Sequence, residues 1–164
     1  MFSSWLYAPD RLKWVKSEKP QKGCVFCRIG GDANPSKHFI LKKAKGFFVV
    51  MNIYPYNTGH LQVIPLRHVT TIEELTDEET KDMFVLVKKS VKLLKRVLKP
   101  IGFNIGLNQG GSASGASIEH LHVHVVPRFR TDFGFIDVIG GTKVLPEEVG
   151  KTFRKLKKEV KILG

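Results

Sequence analysis

Apolar positions in this chain fall into several short runs of strand length and two longer stretches with helical spacing. Residues 47–52, Phe-Phe-Val-Val-Met-Asn, are rich in aromatic and β-branched side chains and predict a strand. Tyr54, Pro55, Asn57 and Gly59 follow as turn residues, and residues 60–65 predict the returning strand of a hairpin. Thr76-Asp77-Glu78-Glu79 then has the form of a capping box. Beyond it Phe84, Val87, Val91, Leu94 and Leu98 share one helical face with lysines opposite, and Pro100 and Gly102 predict the stop. Residues 103–108 predict another strand and residues 133–139 a last one, after which Gly140-Gly141 turns the chain. At the end Phe153, Leu156, Val160 and Leu163 recur at helical spacing beside many lysines, which predicts an amphipathic helix. This order of elements predicts an α+β domain: a mainly antiparallel sheet with a long helix and a C-terminal helix packed on it. The expected divisions are an arm at 1–22, the domain at 23–146 and the basic helix at 147–164.

One run stands apart from the rest. Residues 120–128 alternate His120, His122 and His124 with Leu121, Val123 and Val125, so half of the six histidines lie within five residues. Strict alternation predicts a half-buried strand with the three imidazoles in a row on one face and the apolar residues on the other. Imidazole is the side chain best suited to change protonation, attack phosphorus or bind a metal near neutral pH.

Composition narrows the picture. The 164 residues suit one domain, and 42% hydrophobic with 26% charged residues suits a soluble globular chain. No apolar run approaches the ~20 residues that cross a bilayer. The first 22 residues, with Trp5, Tyr7 and Trp14, lack the apolar stretch of a secretory signal, so a cytoplasmic location is expected. A net charge of +12 suits an anionic partner such as a nucleotide or polyphosphate, or a merely solvated lysine-rich surface.

The only two cysteines are Cys24 and Cys27. A disulfide is not expected in such a chain. Two thiolates need two further ligands for a closed tetrahedral zinc site, and His68 and His120 are available. The alternative is two unpaired thiols with incidental histidines. His38, beside Lys37, reads as a surface residue. Residues 109–117, with Gly110, Gly111 and Gly115 between serines and alanines, lead straight into the histidine run. Such a loop brings backbone N–H groups close to an anion, although most loops of this kind are plain connectors.

Three readings of the histidine row compete. It is a metal site, although no carboxylate stands in the row; or it is structural; or one neutral imidazole attacks phosphorus while its neighbours handle charge and protons. The adjoining loop and the basic charge favour the third, covalent nucleotidyl transfer.

The residues His120-Leu121-His122-Val123-His124-Val125-Val126 match the histidine triad pattern in full, and the chain resembles the histidine triad (HIT) family across about residues 24–145. Residues 52–67, with Gly59-His60 and Pro65, resemble the family's hairpin. Gln109 and the loop from Gly115 to Ser117 precede the triad at the usual spacing. Within the family the chain is most similar to the diadenosine tetraphosphate phosphorylases and hydrolases, and residues 135–146 to the bacterial phosphorylases. Ala116 departs from the hydrolytic branches, where Gln is frequent.

The resemblance implies a HIT-like fold and a nucleotidyl hydrolase or transferase acting on adenosine di- or polyphosphates, with water or phosphate as acceptor. A nucleoside phosphoramidase is the nearest alternative. A metal-dependent hydrolase and a nucleic-acid-binding or DNA-deadenylating module are alternatives of other classes. By position, His122 becomes the nucleophile, its tautomer fixed by backbone near His120, and His124 contacts the phosphate. Gln109 and Ser117 bind phosphate oxygens or assist departure of the leaving group, and Gly115 supplies close backbone contact. Asn52 holds the ribose, Val50 lies beside the base, and His60 supports the site from behind. Cys24, Cys27, His68 and His120 correspond to the zinc ligands of some members. A homodimer formed through the sheet and long helix is also implied.

Overall fold

The computed structural model describes residues 23–110, 118–130, 132 and 145–164. The expected arm at 1–22, the 111–117 part of the glycine/serine loop and the expected strand at 133–139 with its Gly140-Gly141 turn lie outside these residues. The described elements are helix α1 (Val25–Gly31), strands β1 (Ile40–Ala44), β2 (Phe47–Met51) and β3 (Leu61–Pro65), helix α2 (Asp77–Leu98), strands β4 (Gly102–Leu107) and β5 (Val123–Arg128), and helix α3 (Val149–Lys158). Short 3-10 turns stand at Pro35–His38, Ile72–Glu74 and Val160–Leu163.

The five strands form one sheet in the order β1-β2-β3-β5-β4, and every neighbouring pair is antiparallel. The α+β expectation of a mainly antiparallel sheet with helices packed on it is met. β2 is buried at all five positions because both faces of the sheet are covered. Phe47, Val49 and Met51 join the main core with Met83, Leu86, Leu93 and Leu94 of α2. Phe48 and Val50 face the other way, onto Phe26 of α1, Ile40 and Ile64. The hairpin of β2 and β3 therefore forms the middle layer between two helices. Among the described residues, no helix is long and apolar enough to cross a membrane.

The long helix begins where the capping box predicts. The Thr76 side chain accepts from the Glu79 N–H at 3.2 Å, and the Glu79 carboxylate accepts from the Thr76 N–H at 2.9 Å. It ends at Lys99, which takes a left-handed conformation before Pro100. The buried stripe differs from the predicted one. Met83, Leu86, Val87, Ser90, Leu93 and Leu94 face the sheet, and Phe84 is 50% exposed. Apolar residues at 83–87 and 91–94 cover more than half the helix circumference, so spacing alone left the orientation undetermined by about one residue.

Two other elements are shorter than predicted. The histidine strand starts at Val123, not at 120. The carbonyl of His120 accepts from the His122 ring, and the Leu121 N–H donates to the Val69 carbonyl, so this lead-in is tied outside the ladder. The final helix stops at Lys158, and the chain tightens into the 3-10 turn through Leu163. Phe153, Leu156 and Leu163 all enter the main core, as the helical spacing implied.

Candidate active site

Between α1 and the uncovered part of the sheet lies a cleft of about 650 Å³. Its walls are apolar where Phe26 and Ile29 of α1 face Val50 and Ile118, and His122, His124 and Asn52 line it as well. Hairpin geometry explains the arrangement. Val50 lies opposite Gln62 on β3, and Gln62 lies opposite His124 on β5, so strand pairing alone sets the triad beside the end of β2.

The histidine rings hold defined tautomers. A carbonyl oxygen only accepts, so the 2.7 Å contact between His122 Nδ1 and the His120 carbonyl places a proton on Nδ1 and leaves a lone pair on Nε2. His60 Nδ1 accepts from the Tyr56 N–H at 3.2 Å, so His60 carries its proton on Nε2. That N–H donates to His124 Nδ1 at 2.8 Å, and His124 in turn carries its own proton on Nε2. The result is a lone pair on His122 and an N–H on His124, on rings whose centroids are 4.7 Å apart. A lone-pair nitrogen and a hydrogen-bond donor thus stand side by side.

Burial keeps these rings uncharged. His60 is fully buried, and desolvation, then the charges of His124 and His122, push its pKa down to about 3. Burial, then the charge of His122, pushes His124 down to about 4. Desolvation lowers His122 too, partly offset by its bond to the His120 carbonyl.

His120 faces the other way. Its Nε2–H donates to the Pro65 carbonyl at 3.0 Å, which leaves the Nδ1 lone pair 3.2 Å from Cys24 Sγ and 3.6 Å from Cys27 Sγ. His68 Nδ1 is 3.4 Å from Cys27 Sγ. Ligand atoms of Cys24, Cys27, His68 and His120 all lie within 4.8 Å of one another, so the four residues named from the sequence do come together. Around a tetrahedral zinc with bonds of ~2.3 Å to sulfur and ~2.05 Å to nitrogen, the N···S edge is about 3.6 Å, close to these separations. Burial, then the hydrogen bond and charge of Cys24, hold the Cys27 thiol above its ordinary range. Two thiols this close resist ionising together unless a cation relieves them, and a closed two-sulfur, two-nitrogen donor set suits zinc.

The remaining site residues divide. Asn52 lines the cleft, accepts from the Tyr54 N–H through Oδ1 at 2.9 Å, and approaches His60 Nδ1 through Nδ2 at 3.4 Å. Gln109 is turned onto the Ile72–Glu74 turn: its Oε1 accepts from the Ile72 N–H at 2.8 Å, and its Nε2 donates to Glu73 at 2.9 Å. Gly115 and Ser117 lie outside the described residues.

Sequence reasoning missed three participants. Phe26 packs edge-on against both His120 and His122, with centroids 5.7 and 5.2 Å away. Tyr56 stacks on His60 at 4.9 Å. His38 is no plain surface residue: it lines the cleft with Nε2 2.7 Å from Asp32 Oδ2. The Asn34 N–H donates to Asp32 Oδ1 and the tight turn Pro35–His38 follows, which brings His38 back towards Asp32. No periodicity marks that pair; only Pro35, which opens the turn, hinted at a bend.

The fold and the paired tautomers define a histidine triad domain, and comparison with known proteins agrees. The HIT domain model matches residues 34–131, and the chain belongs to that family. It is 47% identical over 120 residues to an AP-4-A phosphorylase of Mycobacterium tuberculosis, which covers 73% of this chain and 62% of that protein. The chain thus spans less than two thirds of that relative's length. It is 36% identical over 104 residues to the asymmetrical bis(5'-nucleosyl)-tetraphosphatase of Schizosaccharomyces pombe, covering 63% of this chain and 56% of that one. A zinc-bound histidine triad family protein from Mycobacterium smegmatis superposes with a TM-score of 0.69 at 27% identity, over 86% of this chain and 95% of its own.

Proposed function

We propose that this protein cleaves adenosine di- or polyphosphates of the diadenosine tetraphosphate kind through a covalent nucleotidyl-histidine intermediate. The observation that carries this reading is the His122 tautomer, whose Nε2 lone pair stands beside the N–H of His124. His122 Nε2 attacks the α-phosphorus, the bond from phosphorus to the bridging oxygen breaks, and His124 Nε2–H hydrogen-bonds that oxygen, stabilising the negative charge the departing nucleotide carries away. Water or inorganic phosphate then attacks the same phosphorus, the bond from phosphorus to His122 Nε2 breaks, and any proton of the acceptor leaves to solvent. Asn52 holds the ribose, Val50 borders the base, and Gln109, Gly115 and Ser117 serve the phosphates. In the described conformation Gln109 is held by Glu73, so its phosphate role requires it to swing away. The AP-4-A phosphorylase and the tetraphosphatase support the substrate class.

Zinc on Cys24, Cys27, His68 and His120 belongs to the same reading, in a structural role that ties α1 to the sheet. The donor set and the zinc-bound relative support it. So does a homodimer through the sheet and long helix, where Phe84, Ile101 and Ile105 are exposed apolar side chains on α2, β4 and the link between them.

Diadenosine tetraphosphate incubated with the enzyme should give AMP and ATP in water, or ADP and ATP when phosphate is the acceptor. Quenched enzyme should carry the nucleotidyl adduct on His122, and His122→Ala should lose at least about 10³-fold in turnover while staying folded. An adduct on another residue overturns the mechanism. Offering an adenosine phosphoramidate in competition separates the phosphoramidase alternative.

A further inference from the structure

The cleft does not end at the apolar walls. The Asp32–His38 pair lines it too, and no part of the reaction above uses that pair. Six residues separate Phe26, which touches His122, from Asp32, about 9 Å along a helix rising ~1.5 Å per residue. That span is comparable to the reach of a nucleoside monophosphate from its phosphorus to the outer edge of its base. Asn52, the candidate ribose contact, lines the same cleft, and Val50, Phe26 and Ile29 give it apolar walls for a base. A pair that far along α1 from the His122 contact is within reach of the outer edge of the base.

The pair has a defined polarity. Asp32 Oδ1 accepts from the Asn34 N–H at 2.8 Å, and Oδ2 lies 2.7 Å from His38 Nε2. Those two bonds, the backbone one first, hold the Asp32 carboxyl below its usual range, so the group is an acceptor only. His38 must then donate through Nε2, and in the neutral ring Nδ1 is left as an acceptor. At position 6 of a purine, adenine presents an amino donor, whereas guanine and hypoxanthine present a carbonyl acceptor. An acceptor facing that position pairs with the first and is left unsatisfied by the others, the asymmetry by which buried polar groups discriminate most strongly.

We propose that His38, oriented by Asp32, is a specificity-determining residue that reads position 6 of the bound purine and selects adenine. This rests on the nucleotide reading given above and deepens it by assigning the base preference to two side chains.

AMP and IMP differ in the base only around this position, so their binding to the full-length protein measures the proposal without turnover. Calorimetric titration at about pH 8, where imidazoles are ordinarily neutral, should show AMP binding about tenfold more tightly than IMP. His38→Phe keeps the ring volume and removes the acceptor; it should weaken AMP about tenfold and leave IMP within twofold. Asp32→Asn provides a second route. With its Oδ1 on the Asn34 N–H it turns its NH₂ towards His38 Nε2, making Nδ1 a donor and moving the preference towards IMP. Equal affinity of the unaltered protein for AMP and IMP, or parallel weakening of both by His38→Phe, overturns the base-reading role alone. Failure of either mononucleotide to bind overturns the nucleotide reading itself.

Discussion

Acidification should destabilise this protein through His60, by an amount the structure fixes. His60 has no exposed surface, accepts from the Tyr56 N–H and donates to His124, and its pKa is pushed down to about 3. In the unfolded chain the same ring titrates near the ordinary value of about 6.5. Between those values the unfolded state binds a proton that the folded state refuses, so the stabilisation is complete above about pH 6.5 and drains away as pH falls towards 3. Linkage over that interval gives a loss of about 2 kcal/mol from His60 between pH 7 and pH 5. His60→Gln is the control. Its amide offers an acceptor to Tyr56 and a donor to His124 but does not titrate, and the cysteine/histidine cluster titrates alike in both proteins. Urea unfolding of the two proteins at pH 7 and pH 5 should show the native one losing about 2 kcal/mol more than the variant. Parallel losses would refute the reasoning, because they would mean that His60 is not held neutral.

Gly59 has φ +86°, and a Cβ there would run into Leu98 Cδ1 and crowd Leu94 at 3.3 Å and Pro127 at 3.4 Å, whereas Gly46 has φ +77° and open space around it. Thermal unfolding should therefore show Gly46→Ala losing about 1 kcal/mol and Gly59→Ala clearly more, about 2–3 kcal/mol. Thr76→Ala removes the acceptor for the Glu79 N–H and should cost about 1 kcal/mol without changing turnover, read by denaturation and by assay in parallel. Metal analysis of the purified protein should return one zinc per chain, and Cys27→Ser should lose it together with several degrees of melting temperature; a metal-free native protein would refute the zinc assignment.

Local chemistry was legible where it is written in adjacent residues. The capping box, the hairpin turn and the alternation around Val123 and Val125 each act over a few positions, and each appears at its predicted place. The grouping of Cys24 and Cys27 with His68 and His120 was legible from ligand number rather than from any local pattern. What the sequence withheld was direction. Phe84 and Met83 are equally apolar, and only packing against the sheet decides that Met83 turns inward. The lead-in at His120 and Leu121 has the alternation of a strand, yet its hydrogen bonds go to a ring and to Val69. His38 and Asp32 are six residues apart with no period between them, and their meeting depends on the tight turn Pro35–His38.

The bond between the Tyr56 N–H and His60 has a consequence for the traffic of protons. An amide hydrogen is not surrendered near neutral pH, so His60 has one tautomer at all times, and its own proton is committed to His124. His124 Nδ1 is thereby occupied as an acceptor, so its Nε2 carries the ring's proton and shows the cleft an N–H. In the proposed reaction His124 is then a hydrogen-bond donor in both steps and not a base, and the proton of an incoming water leaves through the mouth of the cleft. Both half-reactions meet the same donor, and an enzyme caught between them waits with His124 already set for the acceptor that arrives.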